Sequence, residues 1–337
     1  MYGDMRPLEE HYEVMKRYVA YLGSKAKDHL VSHGLGDWYD VGPGGPGVSK
    51  LTSPGLTATA TYLQDIHILR QAAALLKRPD DARTYTELAA RVQAAFNARF
   101  LRADAGQYDK GSQTANAMPL ALGLVDEPLR GRVLENLIKE VTGRGYHVTA
   151  GDVGFSYLVR ALTDAERGEV LYGMAKQTDG PGYLYQLKKD ATALTEAWDA
   201  NPSSSHNHCM LGHIEEWFFR GLGGIRSDPS GPGFEKIIIR PQPVEGLTWA
   251  TATYDSIRGR IVTAWKREDN HLTLFVTLPA NTTATVFMPA PDAAAVTEGS
   301  RPAAEAEGVR FVRAEPGAAV YAVGSGTYSF RSAPTRK

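Results

Sequence analysis

Only one cysteine, Cys209, occurs in the 337 residues. No intramolecular disulfide can staple the chain, and no second thiol stands at metal-ligand spacing. Beside His208 and without a partner, Cys209 is expected to be a buried structural thiol. An excess of charge is equally absent: 37 Lys and Arg stand against 38 Asp and Glu. With no basic run, the electrostatic case for nucleic acid or for a membrane surface disappears, and a neutral partner fits best. No stretch approaches the roughly 20 apolar residues of a membrane span. The opening Met1 to Pro7 has no apolar signal core. As written, the chain is expected to stay in the cytoplasm, with export only if a longer parent carries a leader. A Walker loop, a dinucleotide fingerprint, a Gly-x-Ser-x-Gly elbow and a His-Glu-x-x-His pair are all missing, so nucleotide and acyl-transfer chemistry lose their main support.

What the sequence does have is a hydrophobic fraction of 43%, normal for a packed core. Leu8, Tyr12, Met15, Val19 and Leu22 recur at alternating spacings of four and three, which puts them on one stripe of an amphipathic helix. Similar patterns cover Thr57 to Leu76, Asp81 to Phe100, Ser112 to Leu124, Leu129 to Val141, Val153 to Leu162, Ala165 to Lys176 and His206 to Leu222. Short turns such as Arg78-Pro79-Asp80 separate them, so antiparallel helix pairs are expected. After Gly223-Gly224-Ile225 the helical period stops, and Pro and Gly accumulate from Ser227 to Gly233. That change predicts a boundary between a helical region over 1–226 and a β-rich region over 234–332. Eight short runs follow, among them Lys236 to Ile239, Leu272 to Leu278 and Thr283 to Met288, and several alternate as half-buried antiparallel strands do. A β-sandwich is the expected result, with Ala290 to Gly308 as a loose loop.

Three loops between helices concentrate chemistry. Gly36-Asp37-Trp38-Tyr39-Asp40 sets carboxylates around aromatics, as a sugar subsite would: ring faces stack on the aromatics and hydroxyls bond to Asp37 and Asp40. The alternative is a turn anchored by a buried Trp. Gly151-Asp152-Val153-Gly154-Phe155 opens a helix, and on sequence alone the stronger reading of Asp152 is a cap. The third and densest runs from Tyr183 and Tyr185 through Thr195-Glu196-Ala197-Trp198-Asp199 to His206-Asn207-His208. A glutamate beside a tryptophan and a histidine-rich loop suits an activated water and a sugar; an ordinary helix end with a salt bridge fits it equally. His206, His208 and His213 do not share a face, so no metal is expected.

In this order the motifs resemble the bacterial and fungal α-L-rhamnosidases over nearly the whole chain. The stretches that carry the likeness are Tyr2-Gly3-Asp4, Gly36 to Asp40, Thr57-Ala58-Thr59-Ala60, Gly151 to Phe155, Thr195 to Trp198, Asn207-His208, Glu216-Trp217, Gly223-Gly224-Ile225 and Lys236 to Pro241. The resemblance implies a mainly α protein, an (α/α)6-barrel-like toroid of helical hairpins followed by an antiparallel β-sandwich. It also implies an inverting hydrolase of terminal α-L-rhamnose, working without metal or cofactor on a rhamnose-containing carbohydrate. In such enzymes an acid and a base stand about 6.5 to 9.5 Å apart across the sugar. By resemblance Glu196 is the base, Trp38 lines the rhamnose pocket and His208 touches the sugar, with Asp37, Asp40, Asp152, Tyr185 and Trp198 as further substrate-binding candidates. The family's acid lies in an Arg-Glu-x-Leu-Gly-Trp type motif, upstream of the stretch matching Met1 to Tyr12, that this sequence lacks. Moreover, about eight or nine helical patterns appear where six closed hairpins need roughly twelve. The expectation is therefore an N-terminally shortened form or a segment of a longer protein. Two other readings stand beside it: a carbohydrate-binding remnant without the acid, and another glycosidase or lyase on an α/α barrel.

Overall fold

The computed structural model describes residues 2–268 and 271–332. Met5–Ile214 forms one compact unit, and the described residues on either side of it form a second.

The first unit contains α1 (Arg6–Lys25), α2 (Pro54–Leu75), α3 (Pro79–Phe100), a small hairpin of β1 (Leu101–Arg102) and β2 (Gln107–Tyr108), then α4 (Gln113–Leu122), α5 (Glu127–Gly143), α6 (Gly154–Asp164), α7 (Gly168–Ala175) and α8 (Tyr183–Lys188). Short connections fold α2 on α3, α4 on α5 and α6 on α7 as antiparallel hairpins. Side-chain chemistry sorts them into two rows. On α2, Leu56, Thr59, Ala60, Tyr62, Leu63, Ile66, Leu69 and Ala72 are buried around most of the circumference, and on α4 every residue from Gln113 to Leu120 is buried. Helices buried all round belong inside. α3 and α5 bury single stripes, Tyr85, Ala89, Val92, Phe96 and Phe100 on one and Val133, Leu137 and Val141 on the other. These are outer helices. α2, α4 and α6 touch in sequence as the inner row. Since each is separated from the next by one antiparallel partner, all three point the same way, and the loops leading into their N-termini gather at one end. The six-residue α8 lies in a stretch where no helical period was visible.

The expected helix from His206 to Leu222 is not continuous. It is broken into a 3-10 turn at Cys209–Leu211, the short α9 (Ile214–Trp217) and a π-helical turn at Phe218–Leu222. In the π turn the Gly223 N–H donates to the Phe218 carbonyl at 2.8 Å. Thr263 Oγ1 donates to the Gly223 carbonyl and Trp265 Nε1 to the Leu222 carbonyl, which ties this segment to the sheets. The units accordingly divide between Ile214 and Glu215, upstream of the boundary expected at 226.

The second unit is a sandwich of two sheets. Its strands are β3 (Ile225–Ser227), β4 (Lys236–Ile239), β5 (Trp249–Ser256), β6 (Gly259–Glu268), β7 (His271–Leu278), β8 (Thr283–Pro289), β9 (Thr297–Glu298), β10 (Arg301–Pro302), β11 (Val309–Glu315), β12 (Ala318–Val323) and β13 (Gly326–Ser332). The sheet orders are β10-β9-β13-β7-β6-β5 and β11-β12-β8-β4-β3. Alternation holds as expected: Ile261, Thr263 and Trp265 on β6 and Leu272, Leu274, Val276 and Leu278 on β7 are buried. Tyr321 of β12 stacks on Phe330 of β13 across the sheets at 5.6 Å. Two details depart from expectation. β4 and β8 pair in parallel, because the chain between them crosses through the other sheet and returns in the same direction. The Ala290 to Gly308 stretch is not loose; β9 and β10 pair with each other and β9 extends the sheet along β13.

Candidate active site

Two loops are zipped together where the inner helices begin. The Val41 N–H donates to the Thr149 carbonyl at 3.0 Å and the Asp152 N–H to the Trp38 carbonyl at 2.8 Å. Asp37 reinforces this zip from below. Its Oδ1 accepts the Gly154 N–H at 2.7 Å, and its Oδ2 accepts the Gly151 N–H at 2.9 Å and the Thr114 hydroxyl. The approach leaves no room for side chains: a Cβ at Gly151 would collide with the Trp38 carbonyl, and one at Gly154 with Thr114. Gln113 holds the next stretch, donating to the His147 carbonyl at 2.9 Å and accepting the Thr149 N–H at 2.9 Å. The fixed backbone presents Asp152 and Trp38 side by side.

A third loop is pinched shut by its own hydrogen bonds. The Glu196 N–H donates to the Ser205 carbonyl at 2.9 Å, the Ser205 N–H to Glu196 Oε2 at 3.2 Å, and the His208 N–H to the Leu194 carbonyl at 3.0 Å. Trp198 pins it to the core: its Nε1 donates to the Ala150 carbonyl at 2.9 Å, and its ring meets Phe155 and Tyr183 edge-on at 4.9 and 5.3 Å. His208 Nε2 comes to 3.7 Å from Asp152 Oδ2. Asp152 Oδ1 is buried without a hydrogen-bond partner.

Electrostatics follows from this packing. Burial pushes the Asp152 carboxyl up to about 6; His208 pulls against the shift, while the Asp37 and Glu196 carboxylates add to it. Asp152 and Glu196 therefore lie within electrostatic reach. Burial also lifts Asp37 to about 6, against the opposing pull of its three donors. Among the described residues no three His, Cys, Asp or Glu side chains converge as metal ligands.

The structure brings Asp152, Glu196 and His208 together, sets the Trp38 backbone against Asp152, and gives other candidates different work. Asp37 is 0% exposed with both oxygens engaged by protein donors, so it is a structural tie and not a hydroxyl ligand. Asp40, 4% exposed, accepts the Ser49 hydroxyl and the Lys50 and Leu51 N–H groups; it caps a turn. Trp198, 2% exposed, is core. Tyr185 sits on α8 with Lys189 Nζ over its ring at 5.5 Å. Cys209 is exposed rather than buried, because the 3-10 turn it opens faces outward. Gln113 and Thr114 were missed, although the polar run Ser112-Gln113-Thr114 at the start of a buried helix was the signal.

Residues 1–222 match the family model described as the bacterial alpha-L-rhamnosidase 6 hairpin glycosidase domain, and residues 224–302 match that of the bacterial alpha-L-rhamnosidase C-terminal domain. A curated alpha-L-rhamnosidase of Streptomyces avermitilis is 31% identical over 98% of this chain, which spans 31% of that relative. The crystal structure of the Streptomyces avermitilis alpha-L-rhamnosidase complexed with L-rhamnose superimposes with a TM-score of 0.87 at 29% identity over 98% of this chain and 31% of that one. That of the alpha-L-rhamnosidase from Dictyoglumus thermophilum gives 0.89 at 34% identity, over 98% of this chain and 38% of that one. This chain thus spans about a third of the length of the relatives it matches. The domain match over the helical unit, the zipped loops at its inner-helix ends and the shared fold lead to one conclusion: the chain belongs to the bacterial α-L-rhamnosidase six-hairpin glycosidase family.

Proposed function

We propose that this site, within the whole protein, hydrolyses terminal α-L-rhamnosides with inversion, and that Glu196 is its general base. One observation carries the assignment. Of Asp37, Asp40, Asp152 and Glu196, the first three are at most 5% exposed and Glu196 alone is partly open to solvent. A base must hold a water: Asp37 and Asp40 are closed off by protein donors and Asp152 is buried, which leaves Glu196. The Ser205 N–H on Oε2 orients the Glu196 carboxylate. Trp38, half-buried beside Tyr39, offers a ring face for the apolar side of a deoxy sugar. His208, with its Nε2 3.7 Å from Asp152 Oδ2, supplies a polar group for a sugar hydroxyl.

In this reading Glu196 takes a proton as the water oxygen bonds to the anomeric carbon. The bond to the leaving oxygen breaks on the opposite face, where a carboxylic acid about 6.5 to 9.5 Å away protonates it. The Arg-Glu-x-Leu-Gly-Trp type motif expected to hold that acid is not in this sequence. Likeness to proteins named alpha-L-rhamnosidases supports rhamnose as the sugar. Glu196→Gln in the natural full-length protein should keep rhamnose binding and lower turnover of an aryl α-L-rhamnoside by roughly 10² to 10⁴-fold. The first product seen by proton NMR should be the β anomer. Near-normal turnover would remove Glu196 from the role, and an α product would remove inversion.

A further inference from the structure

We infer that Asp37 and Thr114 form a buried positioning pair that fixes the backbone carrying Asp152 against the backbone carrying Trp38, and so sets the width of the sugar-binding cleft. The inference rests on the functional reading above for its consequence, but not for its geometry. Three separate segments meet at one carboxylate: Asp37 from the loop before α2, Thr114 from the first turn of α4, and the Gly151 and Gly154 N–H groups at the start of α6. Asp152 lies between those two glycines, and its own N–H is held by the carbonyl of Trp38, the residue next to Asp37. A shift of the Asp37 carboxylate therefore moves both walls at once.

Neither side chain touches the cleft. Asp37 is 0% and Thr114 1% exposed, so both act through Asp152 and Trp38 and are positioning residues. A hydroxyl is needed at 114 because Asp37 Oδ2 has two donors, the Gly151 N–H and Thr114. Removing one leaves a buried carboxylate oxygen with a single partner, and the loops can separate. A methyl in place of the hydroxyl keeps the volume, so packing is preserved while the bond is lost.

The experiment compares Thr114→Val with Thr114→Ser in the natural full-length protein, reading amide hydrogen exchange at Gly151 and Gly154 and the affinity for L-rhamnose by calorimetry. Thr114→Val should speed exchange at both glycines at least tenfold and weaken rhamnose binding about tenfold, while Thr114→Ser, which restores the hydroxyl, should leave both near the wild-type values. Asp37→Asn should follow Thr114→Val in direction. Unchanged exchange in Thr114→Val would overturn the pair itself. Faster exchange with unchanged affinity would overturn its link to the cleft, as would Thr114→Ser behaving like Thr114→Val. If the wild-type protein bound no rhamnose, the functional reading would fall, and exchange at the two glycines would still decide whether the pair holds the backbone.

Discussion

Two loops of the helical unit each hold an acid within two residues of a tryptophan, Asp37 with Trp38 and Glu196 with Trp198, and bury opposite members of the pair. In Gly36 to Asp40 the acid is inside and the tryptophan outward: Asp37 is sealed under three protein donors while Trp38 is only half-buried. In Thr195 to Asp199 the tryptophan is inside and the acid outward: Trp198 is packed on Phe155 and Tyr183 while Glu196 meets solvent. Asp37 and Trp38 are neighbours in sequence, while Glu196 and Trp198 are separated by Ala197 on a turning loop; in each pair one side chain is turned into the core and the other is left partly open to solvent. Which one anchors depends on what the core offers at that point. Free N–H groups at the start of α6 suit a carboxylate, and an apolar wall with one open carbonyl, that of Ala150, suits an indole.

The most forceful way to break this comparison is to remove the inward tryptophan. Trp198→Ala should destabilise the protein by about 3 to 5 kcal/mol, the range for deleting a buried aromatic, because it also strands the Ala150 carbonyl. Thermal or urea unfolding reads this directly. A loss of under about 1 kcal/mol would mean that Trp198 is not an anchor, and the mirror-image reading of the two loops would collapse.

The inward acid gives a second, smaller effect, visible in the pH dependence of stability. Burial pushes the Asp37 carboxyl up to about 6 in the folded protein, from the usual 3.8. A carboxyl with a raised folded pKa favours folding when protonated. Its contribution is complete below about 4, fades as pH rises through 6 and then stays level. At roughly 1.4 kcal/mol per pKa unit, the loss amounts to the order of 2 to 3 kcal/mol between pH 4 and 7. Asp37→Asn, which cannot ionise, should make that part of the stability curve less steep, read from urea midpoints across pH, with the remaining fall coming from Asp152, which burial also pushes up to about 6. A wild-type curve that instead rises over this window would show that the Thr114, Gly151 and Gly154 donors outweigh burial.

Periodicity made the hairpins legible because the inner and outer helices repeat a local pattern over many turns, as α1 and α3 do. It could not reveal α8, six residues long, nor the π turn that breaks the last helical stretch, since both depend on packing that a local pattern does not carry. The site divides in the same way. Asp152, Glu196 and His208 could be nominated from loop composition and family likeness, and the structure gathers them. The fate of Asp37 could not be read, because its partners lie 77 to 117 residues away along the chain. Trp38 and Trp198 looked alike for the same reason: the Ala150 carbonyl that claims Trp198 is 48 residues distant.

The smallest effect is the most discriminating, because it concerns the outward tryptophan alone. Trp38 contributes its carbonyl to the Asp152 N–H whatever its side chain is, so Trp38→Ala should leave the zip between the loops in place. Its half-buried ring contacts Tyr39 at 5.4 Å between centroids, and losing that contact should cost stability no more than about 1 kcal/mol. Affinity for rhamnose should fall by a factor of about ten, the worth of one good stacking face at roughly 1.4 kcal/mol. Unfolding and calorimetry on the same variant separate the two quantities. If melting drops as far as in Trp198→Ala while affinity holds, Trp38 is a second anchor, and the cleft needs another wall for the sugar.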